Sequence, residues 1–169
     1  MSDLQWKSAA KLVKGFAAGK FSPVEVTQSC LAQIERHEKT LNAMVEVRPE
    51  EALAAARASE ARWHKGEPQG PVDGVPTLVK DLLLVRGWPT LRGSRTVDRN
   101  QPWDQDAPSV ARLRGSGAVF LGSTTTPEFG WKGVTDSPLT GITRNPWNPD
   151  TTPGGSSGGS SAAAAAGYA

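Results

Sequence analysis

Hydroxyl side chains and flexible backbone are concentrated near the end of this chain, in the run PGGSSGGSS at 153–161. Five alanines follow at 162–166 and favour a helix. Glycine lets the backbone approach a ligand closely. A glycine- and serine-rich turn that leads into a helix N-terminus also brings hydroxyls, backbone N–H donors and a positive dipole end into one small region. The run therefore predicts a binding or catalytic turn.

Other interpretations of this turn remain open on its composition alone. Runs of glycine and serine are often flexible linkers. Residues 154–158 also fit Gly-x-Ser-x-Gly, the nucleophile turn of α/β-hydrolases, but that pattern has little specificity in a segment built from two residue types. A phosphate-binding P-loop is excluded because no Gly-Lys-Ser/Thr follows the glycines.

Lys80 is the second residue that could do chemistry. It lies in a β-rich run, Val75 to Val85, in which alternation places Leu78, Lys80 and Leu82 on one face and Asp81 on the other. Burial of an ammonium without a nearby carboxylate lowers its pKa, and a neutral lysine can act as a base. A lysine that extends to solvent or pairs with a distant acid is the alternative, and spacing alone favours it.

Composition narrows the class of protein. The chain has 169 residues, 21% of them charged, and a net charge of +2, so nothing calls for a nucleic-acid or membrane partner. No stretch approaches the roughly 20 apolar residues of a membrane span, and the N-terminus lacks a signal-peptide core, so we expect a cytoplasmic protein. The single cysteine, Cys30, lies on an apolar helix stripe and is predicted to be a buried structural thiol. No metal-ligand cluster is evident, and we expect no cofactor.

Helix and strand patterns alternate along the chain. Helices are predicted over 4–18, from the capping box at Ser22 to beyond Ile34, from Pro49 to near Gly66, and over 106–115. Strands are predicted over 41–47, 75–85 and 118–121, with loops over 86–105 and 122–155. The alternation predicts an α/β fold with a buried sheet. We divide one domain into a helical region, 1–68, and a region of sheet and active-site loops, 69–169.

Four segments together resemble the amidase signature family: GVPTLVKD at 74–81, GSTTTPEF at 122–129, NPWNP at 145–149 and the glycine–serine run. The similarity extends in order over essentially the whole chain. It implies the N-terminal part of the amidase-signature fold, with a mixed sheet covered by helices on both faces, incomplete in this chain. It also implies an enzyme that hydrolyses carboxylic amides without a cofactor.

The resemblance assigns roles to particular residues. Lys80 matches the catalytic lysine, and Ser156 matches the bridging serine, which follows a cis peptide bond and also contacts substrate. Gly130 lies where relatives contact the substrate. Gly155, Ser157 and Ser160 are expected to support the turn. The aromatic residues Phe129, Trp131 and Trp147 could line an approach for an apolar acyl group, although core packing is the favoured interpretation.

One element of the family pattern lies outside the sequence. The nucleophilic serine belongs to an Asp-x-Gly-Gly-Ser segment further along than residue 169, so we expect a Ser-cisSer-Lys amidase that is inactive as this chain alone. A small-molecule amide is the expected partner, with a homodimer possible. A non-catalytic remnant or interaction module remains an alternative, as does the glutamine-hydrolysing subunit of a tRNA-dependent amidotransferase. An α/β-hydrolase would need a histidine after the serine, whereas His37 and His64 both precede it.

Overall fold

The fold is that of a computed structural model, which describes residues 3–169. Among residues 3–169, two short 3-10 turns, Leu4–Trp6 and Glu128–Gly130, accompany five α-helices and five strands. In chain order these are α1 Ala9–Ala17, α2 Pro23–Leu41, β1 Met44–Val47, α3 Pro49–Lys65, β2 Pro76–Lys80, α4 Pro108–Gly115, β3 Val119–Thr124, β4 Asp136–Ser137, β5 Gly141–Ile142 and α5 Gly158–Ala165.

The central sheet has three strands in the order β1-β3-β2. Strand β2 runs parallel to β3, and β1 runs antiparallel to it, so the sheet is mixed. Lys80, the last residue of β2, lies opposite Thr124, the last residue of β3. Because parallel strands end at the same edge of a sheet, this register places Lys80 beside whatever follows β3.

Apolar residues pack on both faces of β3. Val119 and Leu121 join a large core with residues of α1, α2, α3 and α5, whereas Phe120 joins a second cluster with Val110 of α4 and with Trp88. All six residues of the strand are buried, as expected for a strand covered on both sides. The predicted α/β class, with a mixed sheet and helices on both faces, is confirmed.

Helix α2 begins at the predicted capping box. The Glu25 N–H donates to Ser22 Oγ at 3.2 Å, and the Ser22 N–H donates to Glu25 Oε2 at 2.7 Å. This reciprocal pair satisfies two backbone donors that the first turn of a helix leaves free. Cys30, on the same helix, is buried as predicted, and burial raises the pKa of its thiol to about 12.

Several predicted boundaries were wrong. The strand predicted over 118–121 continues to Thr124, so residues 122–124, predicted to be loop, belong to β3 because they keep pairing with β1 and β2. The helix predicted over 4–18 is broken at Ser8, whose extended backbone makes it the N-cap of α1. The strand predicted from Leu41 begins only at Met44, because Leu41 ends α2 and Asn42 turns into the left-handed region. The strand predicted to reach Val85 stops at Lys80, where the N–H groups of the next two leucines turn back to the Lys80 carbonyl.

The favoured interpretation of two tryptophans as core residues was also wrong. Trp131 and Trp147 are 82% and 86% exposed, and Phe129 is about half exposed. They lie in the irregular segment after β3, where the chain forms no continuous element that could carry them into the core. Leu82, expected on the strand beside Lys80, lies in the turn beyond it.

Within the described part of the chain, none of the helices combines the length and apolar character needed to cross a bilayer. No three His, Cys, Asp or Glu side chains among residues 3–169 cluster closely enough to hold a metal ion.

Candidate active site

The end of β2 brings the Lys80 amine to the glycine–serine turn. Lys80 Nζ lies 2.8 Å from Ser156 Oγ and 3.0 Å from Ser157 Oγ. Asp81 points to the opposite side of the strand end, where its carboxylate binds backbone N–H groups. Two residues 76 positions apart in sequence are therefore in hydrogen-bond contact.

The surroundings of Lys80 lower the pKa of its amine. Among residues 3–169, no acidic side chain forms an ion pair with this amine. Burial lowers the pKa of Lys80 from its ordinary value, because removal from water penalises the ammonium and no neighbouring carboxylate restores it. The Lys80 amine is thus half-buried, lies within hydrogen-bond distance of two hydroxyls, and has a lowered pKa.

Hydroxyl groups from outside the turn hold it in place. Thr135 Oγ1 donates to the Gly154 carbonyl at 2.8 Å and accepts from the Gly158 N–H at 3.0 Å. Thr126 Oγ1 is 3.3 Å from the Ser156 carbonyl. The Gly155–Ser156 peptide bond is cis. The position of the Ser156 hydroxyl is thus fixed by contacts on both sides of the bond that precedes it.

Close packing explains why the turn contains glycine at 155. A Cβ added to Gly155 would lie 2.7 Å from the Val134 nitrogen and 2.8 Å from the Gly133 carbonyl carbon. Real Cβ atoms do not approach backbone atoms so closely, so a side chain here would push the turn away from the 132–134 segment. Gly155 thereby supports the turn through close backbone approach.

The other predicted site residues lie around this pair. Ser160 Oγ forms a 2.7 Å hydrogen bond with Thr124 Oγ1, which ties the first turn of α5 to the end of β3. Ser157, like its neighbour Ser156, forms a direct hydrogen bond with Lys80. Gly130 has a φ of 69° and packs against the Leu82 side chain, at the end of the 3-10 turn that follows β3. The catalytic and substrate-binding roles assigned to these residues stay predictions.

The threonines that hold the turn were not singled out from the sequence. Thr124, Thr125 and Thr126 are fully buried, and Thr135 is almost so. A signal was available for the first three, because they lie at the end of a strand that runs parallel to the one carrying Lys80: Thr124 is its last residue, and Thr125 and Thr126 come directly after it. No sequence signal pointed to Thr135, because its position depends on the path of an irregular loop.

Comparison with known proteins gives one consistent family. The Amidase family profile matches residues 25–169. The chain is 41% identical to a glutamyl-tRNA(Gln) amidotransferase subunit from Chloroflexus aurantiacus, over 92% of this chain and 32% of that protein. It is 39% identical to an acylamidase of Rhodococcus erythropolis, over 90% of this chain and 32% of that protein.

A solved structure is similar at the level of the fold. The crystal structure of a bacterial aryl acylamidase of the amidase signature family matches with a TM-score of 0.81 and 38% identity, over 95% of this chain and 34% of that one. The chain therefore spans about a third of the length of the curated relatives that it matches. With a family profile matched over most of its length and its fold shared with solved members, this chain belongs to the amidase signature family.

Proposed function

We propose that this chain supplies the proton-transfer half of an amide-hydrolysing site, in which Lys80 is the base and Ser156 the bridging hydroxyl. The observation that supports this most strongly is the 2.8 Å contact between Lys80 Nζ and Ser156 Oγ, at an amine whose pKa burial lowers. A serine further along than residue 169 would be the nucleophile, as the family resemblance implies.

The chemistry follows from the positions of these groups. The nucleophilic serine forms a bond to the amide carbonyl carbon while its proton moves to Ser156 Oγ, and the Ser156 proton moves to neutral Lys80. When the tetrahedral intermediate collapses, the C–N bond breaks, and the proton returns through Ser156 to the departing amine. Water then attacks the acyl carbonyl carbon while its proton passes through Ser156 to Lys80, and the proton returns through Ser156 to the nucleophilic serine as the ester C–O bond breaks. Lys80 must be neutral at the start, so amidase activity is expected to rise with pH through the pKa of Lys80.

The test needs the segment that relatives have beyond the part matched by this sequence. We would build a chimera in which residues 1–169 replace the aligned N-terminal segment of the Rhodococcus erythropolis acylamidase, and assay hydrolysis of an aryl amide. Lys80→Ala should lower kcat by about 10²- to 10⁴-fold, the usual contribution of a positioned base. Lys11→Ala, which removes an exposed lysine of α1, is the control and should retain activity.

Lys80→Ala with turnover near that of the unchanged chimera would refute the relay. The 169-residue chain alone should hydrolyse no aryl amide, and robust turnover by it would show that the nucleophile lies within these residues.

A second candidate is a glutamine-hydrolysing subunit. The 41% identity to the Chloroflexus amidotransferase protein favours it. The same chimera distinguishes the two, because release of ammonia from glutamine in preference to cleavage of aryl amides would support the second candidate. A catalytically dead chimera that is nonetheless folded would instead support a non-catalytic role for this segment.

A further inference from the structure

Asp81 is a buried carboxylate that the proton relay does not use. It directly follows Lys80 and is 1% exposed. Its backbone N–H donates to the Thr124 carbonyl at 3.0 Å, which continues the pairing with β3 for one residue beyond β2. An ionised side chain is rarely buried so completely unless something nearby compensates its charge.

The compensation comes from a tight turn at 91–94. Asp81 Oδ1 accepts from the Leu91 N–H at 2.9 Å, and Oδ2 accepts from the Gly93 N–H at 3.0 Å. Arg92 and Gly93 both have left-handed backbones, with φ of 57° and 64°. Such successive N–H groups form a concavity that binds an anion, and here the anion belongs to the protein itself. The carboxylate thus gives the turn its shape.

The 91–94 turn also holds the 128–130 loop, the 3-10 turn that carries Gly130. The Arg92 carbonyl accepts from the Phe129 N–H at 2.8 Å. Ser94 Oγ donates to Glu128 Oε1 at 2.7 Å. A Cβ on Gly93 would lie 2.6 Å from the Thr126 carbonyl oxygen, so the two backbones are in close contact. Thr126 also reaches the Ser156 carbonyl, which connects the loop to the bridging serine.

We propose that Asp81 is a positioning residue for substrate binding, which holds the 128–130 loop in place through the turn at 91–94. This rests on the proposed function, because it takes the 128–130 loop to be a substrate contact. The Asp81 carboxylate binds the 91–94 turn and not the Lys80 amine, and burial is what lowers the pKa of Lys80. Its effect on catalysis is geometric and passes through backbone hydrogen bonds.

The decisive variant is Asp81→Asn, which keeps the size of the side chain but puts an N–H₂ group where one backbone N–H needs an acceptor. Amide hydrogen exchange of the 169-residue chain should become at least tenfold faster at Phe129 and Gly130, which lie more than thirty residues from the substitution. Asp73→Asn is the matched control, because Asp73 is equally buried and also binds a backbone N–H but has no contact with the 91–94 turn. Because Asp73→Asn is expected to destabilise the whole fold, it should speed exchange at Phe129 and Gly130 no more than at the amides of β3, whereas Asp81→Asn should speed exchange at Phe129 and Gly130 at least tenfold relative to β3.

In the acylamidase chimera, Asp81→Asn should raise KM at least tenfold with a much smaller change in kcat, and the pH dependence set by Lys80 should not move. The inference fails if exchange at Phe129 and KM both stay unchanged. That failure is separate from failure of the proposed function, which Lys80→Ala alone decides.

A titration of the unchanged chain tests the same link without a variant that could misfold. Burial raises the pKa of Asp81 to about 6, the Gly93 and Leu91 N–H groups oppose this, and the nearby charge of Glu46 adds to it. The amide NMR signals of Leu91, Gly93 and Phe129 should therefore shift together with a midpoint near 6. If Phe129 stays still while Leu91 and Gly93 titrate, the turn does not transmit the state of Asp81 to the loop, and the proposal is wrong.

Discussion

Asp73 anchors the turn from which strand β2 starts, and removing its charge should destabilise the whole fold. Its carboxylate is fully buried. It accepts hydrogen bonds from Arg62 Nε at 2.8 Å, from Arg62 Nη2 at 2.6 Å and from the Gln69 N–H at 2.7 Å. The next residue, Gly74, donates its N–H to the Gly117 carbonyl at 2.9 Å. The ion pair therefore ties α3 to the start of the strand that carries Lys80.

Asp73→Asn tests the strength of this anchor. Breaking a buried ion pair by neutralising one partner costs roughly 3–5 kcal/mol. The Arg62 side chain is 30% exposed, so water can solvate part of its charge once the partner is neutral. We therefore expect a loss in the free energy of unfolding at the lower end of this range, about 3 kcal/mol. Asp136→Asn is the control, since Asp136 pairs with Lys132 at 2.7 Å on the surface, with 44% and 39% of the side chains exposed. It should cost less than about 1 kcal/mol.

Urea unfolding followed by circular dichroism gives the free energy of unfolding for each variant.

The pH dependence of the difference in unfolding free energy between Asp73→Asn and the unchanged chain gives a second check. Burial on its own would raise the pKa of Asp73, but hydrogen bonds from Arg62 and from the Gln69 N–H outweigh it and lower the pKa. The unfolded carboxyl titrates near 3.9, so the stabilisation is complete above that pH and is lost as the pH falls through the lower folded-state value. A loss below about 1 kcal/mol at pH 7, or a difference from the unchanged chain that grows as the pH falls below about 4, would refute this account.

Three further outcomes are expected. Ser22→Ala should lower the free energy of unfolding by about 1 kcal/mol, because it removes the cap of α2; urea unfolding would show this, and an unchanged midpoint would contradict it. Cys30 should resist a thiol reagent at pH 8 until the chain is unfolded, because burial raises its pKa to about 12; rapid labelling of the folded chain would be the opposite result. Trp147→Gln should change the unfolding free energy by less than about 0.5 kcal/mol, because this side chain is 86% exposed; a larger loss in the urea assay would mean that it is packed.

The sequence predicted well those features that depend on local chemistry. The capping box at Ser22, Pro49 at the start of α3 and Gly66 at its end each depend on a few adjacent residues, and the structure has all three. The strand around Lys80 was placed correctly at its start but drawn five residues too long. Val85 and its neighbours are apolar enough for a strand, yet they pack as a turn against Trp88 and leave the sheet.

The candidate site was predictable in its two chemical groups but not in what holds them. Lys80 and the serine run have distinctive residue types, and their order in the chain is that of a family. The supports are ordinary threonines and an aspartate, Asp81, whose partners come from segments ten or more residues away. No periodic pattern encodes such contacts, because each depends on how an irregular loop folds back on the sheet.

The separation of Lys80 and Ser156 along the chain has a consequence for partly folded molecules. Lys80 and Ser156 are 76 positions apart, and the chain between them must form a closed loop before the two groups meet, which chain entropy opposes. Helices α2 and α3 are close in the chain and pack against each other, whereas the amine and the hydroxyl meet where the distant helix α5 packs on β2 and β3. An incompletely folded molecule could hence contain these helices while Lys80 and Ser156 are still apart.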